Sequence, residues 1–133
     1  MNGRCACRAV GYEVADEFAV AFNCHCSNCR AMTGSAFLPW GEIESDKVRV
    51  TKGADSLLID GDVEGARVVR CAECWSLIYW TVHHHDRWWI RVPYGSLIDK
   101  PTLTPTAHIF VGSKASWYEI LDDLPQHDGY AWV

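Results

Sequence analysis

Seven cysteines in this chain of 133 residues fall into three groups: Cys5 and Cys7 in "CAC", Cys24, Cys26 and Cys29 in "CHCSNC", and Cys71 and Cys74 in "CAEC". An odd count with no secretory leader argues against a disulfide framework, and clustered thiols in a reducing compartment are more often metal ligands. A buried cysteine that merely fills apolar space is the alternative for a scattered residue, and these are not scattered.

The arithmetic of two, three and two suggests two kinds of site. A CxxC between two strands, as in "ARVVRCAECWSLIYW", presents two sulfurs from a knuckle, and an extended CxC supplies two more. Pairing Cys5 and Cys7 with Cys71 and Cys74 gives a closed four-sulfur zinc site, with Arg4, Arg8 and Arg70 beside it to offset its charge or donate to sulfur. The rival, a redox CxxC, needs a helix start in a βαβ unit, and here strands flank the motif on both sides. Cys24, Cys26 and Cys29 then stand alone as three thiolates with one open position, the plan of a catalytic zinc. An exogenous thiol suits that position, and Arg30, next to Cys29, is the expected charge partner. His25 lies between two ligands of an extended CxC and points away from their shared metal, as a surface or supporting residue. His83, His84, His85 and His108 remain open as remote fourth ligands.

These groups must be positioned by short strands. Segments 9–14, 18–22, 36–40, 48–51, 56–60, 66–70, 77–82, 88–92 and 108–111 are rich in β-branched or aromatic residues and bounded by turn formers such as "KGAD", "DGD" and "PYGS". One short helix is expected at 27–33, "SNCRAMT", with Ser27 as N-cap and Gly34 as C-cap. From residue 99 onward the proline-bearing chain reads as irregular wrapping. "VHHHDRWWIRV" reads as a solvated turn before a strand rather than a metal site, because successive residues of an extended chain face opposite ways. The tryptophans at 75, 80, 88 and 89 are candidates for pocket walls, with core packing the more common role.

Length and composition point to one soluble, cytoplasmic domain over residues 1–133. Net charge is −5, which offers no field for nucleic acid, and no apolar run spans a membrane.

Together these stretches resemble the glutathione-dependent formaldehyde-activating enzyme family. The likeness runs through "GRCACRAVGYEV", "CHCSNCRAMTGSAF", "RCAECWSLIYW" and "HIFVGSKASWYEILDDLPQHDGY". It implies a mainly β, Mss4-like fold of several short, coiled antiparallel sheets stapled by zinc. It also implies two zinc ions per chain: a structural ion on Cys5, Cys7, Cys71 and Cys74, and a labile catalytic ion on Cys24, Cys26 and Cys29. The implied activity is that of a carbon–sulfur lyase joining a small thiol, glutathione in the named enzyme, to formaldehyde, with His25, His108 or water as proton donor. The resemblance leaves the physiological thiol, the aldehyde and the oligomeric state open. Arg8 and Trp75 stand where the family usually has glycine, from which a distorted or re-aimed knuckle is expected. The alternatives are a non-catalytic, zinc-stabilised interaction module, since Mss4-like folds include protein-binding platforms, and a metal-handling or redox protein.

Overall fold

The computed structural model describes residues 1–62 and 65–131. Among the described residues, ten strands form two open sheets. β1 (Asn2–Arg4), β2 (Gly11–Val14) and β5 (Val48–Lys52) make a three-stranded antiparallel sheet in the order β1-β2-β5. β3 (Val20–Cys24), β4 (Leu38–Glu44), β6 (Leu57–Gly61), β7 (Arg67–Cys71), β8 (Leu77–His84), β9 (Arg87–Pro93) and β10 (His108–Ile109) make the second, in the order β10-β3-β4-β9-β8-β7-β6. The mainly β class expected from the sequence is what the chain adopts, with one departure from the antiparallel plan: β10 lies parallel to β3.

Each of the nine expected strands is present, shifted by a few residues at most, because each carries an apolar face to bury. Tyr12 and Val14 of β2 meet Val69, Ile78, Ile90 and Val92 of the larger sheet in one buried cluster that also takes in Cys5 and Cys71. The last strand is shorter than "HIFV" suggests, because Phe110 turns to φ 55 and diverts the chain. Residues 125–129 then run beside β10, with His108 N–H donating to Pro125 O and Phe110 N–H to Gly129 O. His85 and Asp86 form the β8–β9 turn, both holding positive φ, while His83 and His84 end β8, His83 packing on Trp88 and His84 stacking on Trp89 at 5.2 Å. The three histidines therefore converge on no metal site among the described residues.

α1 (Ser27–Thr33) occupies the expected span and ends on Gly34, whose φ of 68 suits a residue without Cβ. Its N-cap is a correction: Cys26, not Ser27, takes that position, its Sγ accepting from Cys29 N–H at 3.2 Å.

Candidate metal centres and active site

Two knuckles build the four-cysteine centre. In the first, between β1 and β2, Arg8 N–H donates back to Cys5 O at 3.3 Å; in the second, between β7 and β8, Trp75 N–H donates back to Cys71 O at 2.9 Å. Both turns require a left-handed residue, and Arg8 (φ 68) and Trp75 (φ 64) supply it despite their side chains. The expected distortion is therefore absent: the local backbone accepts a strain of about 1 kcal/mol at each position and keeps the knuckle shape. Ala6 N–H donates to Ser76 Oγ at 3.0 Å and ties the two turns together.

All four sulfurs lie within 4.8 Å of one another. Cys5 and Cys7 are separated by 3.6 Å and Cys7 and Cys71 by 3.8 Å. A tetrahedron with metal–sulfur bonds of about 2.3 Å has edges of about 3.8 Å, so the donors fit zinc without rearrangement. Arg4 and Arg70 donate to backbone oxygens rather than to sulfur. Arg4 Nη1 donates to Cys5 O and Ala6 O, and Arg70 Nη1 to Trp75 O, so both guanidiniums brace knuckle carbonyls.

The three-cysteine centre joins the end of β3 to the start of α1. Cys24 leaves the sheet, Cys26 caps the helix, and Cys29 sits one turn inside it. Their sulfurs also lie within 4.8 Å of one another, with no fourth His, Cys, Asp or Glu in the group among the described residues. Three soft donors, two of them buried, fit zinc with one coordination position left over. Hydrogen bonding from Cys24 lowers the Cys29 thiol to about 6, aided by Trp40 Nε1–H at 3.4 Å, while the same shared proton pushes Cys24 up.

His25 is fully buried, not a surface residue. Its Nε2 lies 2.8 Å from His108 Nδ1, and His108 Nε2 lies 2.9 Å from Asp122 Oδ2. The Asp122 carboxylate only accepts, so it assigns the proton to His108 Nε2; His108 Nδ1 then accepts from His25 Nε2–H, and His25 Nδ1 keeps a lone pair. That atom is buried with no hydrogen-bond partner among the described residues. Burial above all, and then the electrostatic influence of His108, Lys114 and Arg30, pushes the imidazole down to about 4, so it is neutral at physiological pH. Phe37 and Tyr118 close over this pair, the Phe37 ring lying 5.0 Å from that of His25.

Sequence reasoning missed Trp40, Glu42, Arg91 and Asp122. Glu42 and Arg91 face each other across β4 and β9; Arg91 Nε donates to Glu42 Oε2 at 2.7 Å, and both are buried. Arg91 lies over the rings of Phe22 and Trp80 and is among the groups that lower Cys29. Arg30 lies on the part-exposed side of α1, its Nε buried without a hydrogen-bond partner. Of the candidate tryptophans, Trp80, Trp88 and Trp89 are half-buried in the β8–β9 region, and Trp75 is exposed.

No curated protein matches the chain. Among solved structures, a crystal structure of a Rhodobacter sphaeroides protein matches with a TM-score of 0.60 and 24% identity, over 79% of this chain and 98% of that one, a likeness of fold. The sequence model of the glutathione-dependent formaldehyde-activating enzymes matches residues 1–113, a span that takes in both cysteine centres. With that match over most of its length, the chain belongs to the glutathione-dependent formaldehyde-activating enzyme family.

Proposed function

We propose that the chain is a zinc-dependent carbon–sulfur lyase that reversibly joins a small thiol, glutathione, to formaldehyde at the Cys24, Cys26 and Cys29 centre. The observation that carries this reading is the gathering of three sulfurs with no fourth protein donor beside them among the described residues. Zinc held there supplies a lowered thiol pKa, so that a bound thiol is presented as thiolate at neutral pH.

In the reaction the thiol sulfur bonds to the aldehyde carbon, the carbonyl π bond opens onto oxygen, and the proton lost by the thiol ends on the new hydroxyl. The chain's own residues prepare for this. Cys26 fixes α1 by capping it, which sets Cys29. Trp40 steadies the Cys29 sulfur, and Arg91 places a buried positive charge nearby, with Arg30 as a further charge partner on the helix. His25 stays neutral and oriented by His108 and Asp122, holding a lone pair at Nδ1 for a proton-bearing group.

The deciding experiment compares adduct formation by the parent and by Cys26→Ser, with one structural zinc confirmed in each by elemental analysis. The rate is expected to fall by at least about a hundredfold, as befits loss of a metal ligand in a catalytic site. A Cys26→Ser protein as fast as the parent overturns the reading. The rival reading, an interaction module, draws on exposed Trp117 and Leu121 (71% and 82%) in the segment that carries Asp122. A single inert zinc, with the three cysteines metal-free even when glutathione is present, would favour it.

A further inference from the structure

A cleft of about 790 Å³ lies between the two cysteine knuckles, α1 and the segment after β9. Met32 and Leu38 line it and also pack in one cluster with Cys24 and Cys29, Leu38 pairing with Cys24 across β3 and β4, so two side chains separate the cleft from the three-cysteine centre. Arg4 and Arg70 are among its lining residues. The chain carries 17 acidic residues against 12 basic ones, yet no aspartate or glutamate lines this cleft among the described residues. Each arginine spends one terminal nitrogen on knuckle carbonyls, and a guanidinium has five N–H donors, so both retain donors for a ligand.

Two large apolar side chains overhang the same space while remaining open to solvent, Trp75 at 64% and Ile98 at 61%. Trp75 does so from a left-handed backbone position where a Cβ is unfavourable. Strained positions of this sort cluster at active sites and ligand clamps. The volume falls within the range of pre-formed small-molecule sites, and the mixture of apolar walls with two cationic groups defines what fits them.

We propose that this cleft is the recognition site for the body of the thiol substrate: a flexible, carboxylate-bearing small molecule whose carboxylates meet Arg4 and Arg70 while Trp75 covers its backbone. This assignment rests on the lyase reading above and adds to it the part of the substrate that does not react. Arg4, Arg70 and Trp75 are then specificity-determining residues, and an uncharged thiol of similar size is a poor substrate.

The test is calorimetric titration of the zinc-loaded full chain with S-methylglutathione, whose blocked sulfur cannot occupy the metal's open position, and with its carboxylate diester. The free acid is expected to bind, and the diester and the Arg70→Gln chain each to weaken binding by about tenfold or more, as loss of charge-assisted hydrogen bonds requires. Trp75→Gly should weaken binding several-fold while leaving zinc content intact and raising thermal stability, since glycine relaxes the strained turn. The proposal is overturned if the parent does not bind S-methylglutathione, if the diester binds as well as the acid, or if Arg70→Gln and Trp75→Gly bind like the parent. Adduct formation with no dependence on these residues would sink the cleft and leave the lyase standing. Carboxylate-dependent binding in a chain that forms no adduct would uphold the cleft and sink the lyase.

Discussion

His25 Nε2 and His108 Nδ1 lie 2.8 Å apart, two buried rings joining residues separated by 83 positions in the chain. The pair fastens the loop between two thiolates, Cys24 and Cys26, to β10, and Asp122 fixes the pair from outside. The three-cysteine centre is thus held in shape by a segment that contributes none of its sulfurs.

Asp122→Asn should therefore loosen the three-cysteine centre without touching the four-cysteine one. An amide can donate to His108 Nε2, which favours the other tautomer and removes the anchor for His25. Outer supports of metal sites typically contribute about 10–100-fold in affinity. In a chelator challenge, one of two zinc ions should leave about tenfold faster than in the parent while the other is unchanged. Identical release of both ions from the two proteins would refute the coupling.

Cys26 serves both as a metal donor and as a helix cap, and two substitutions separate these roles. Serine can still accept from Cys29 N–H, so Cys26→Ser should lose the labile zinc with little change in thermal stability. Cys26→Ala removes the cap as well and should cost a further ~1 kcal/mol. Equal melting of the two metal-stripped variants would show that the Sγ contact contributes nothing to α1.

Glu42 neutralises Arg91 within the sheet, and His84 Nε2 lies 2.8 Å from its other oxygen. Glu42→Gln leaves a buried guanidinium without its counter-charge, a change that costs about 3–5 kcal/mol in comparable sites. Urea unfolding should show a clear fall in midpoint with an unchanged slope. A loss below about 1 kcal/mol would mean that Arg91 finds water or another partner.

Alkaline pH should destabilise the fold through Tyr12. Burial pushes its phenol up to about 12 from 10.0, against the hydrogen bond with Ser96 Oγ at 2.6 Å. A raised folded pKa means that the folded chain holds its proton longer than the unfolded one. The resulting stability is fully present below about pH 10 and is lost as pH rises toward 12, on the order of 2–3 kcal/mol in all. Denaturant midpoints measured from pH 8 upward should fall in that window, and Tyr12→Phe should flatten the fall. An equal slope in Tyr12→Phe would assign the effect to other groups.

The legible and illegible parts of this protein divide along the range of the interactions involved. Strands such as β7 and β8 are readable because their apolar residues lie between local turn formers, and α1 because Gly34 ends it. The three cysteine groups were readable because CxC and CxxC spacing is local, and the division into four and three because two pairs of two complete one tetrahedral site and leave the middle group of three. β1, the stretch "NGR", has no strand preference of its own and is a strand because β2 pairs with it. Glu42 with Arg91, Trp40 with Cys29 and Asp122 with His108 depend on register or on chain return, which no short window encodes. Cysteine is seldom a helix cap, so Ser27 drew the assignment that Cys26 holds.

The two cysteine centres also differ in how far the chain must travel to make them. Cys7 and Cys71 are 64 positions apart, whereas Cys24 and Cys29 lie within six consecutive residues, at the end of β3 and the start of α1. Closing the long loop exacts its entropy only once, on folding, so zinc held by the four cysteines would bind the native chain and hardly the unfolded one. The short cluster can gather a metal before the sheets exist, and an ion bound in both states stabilises the fold only by the difference between its two affinities. Free zinc concentration should thus raise the melting temperature through the distant clasp, while the local triad equilibrates with metal during synthesis and refolding alike.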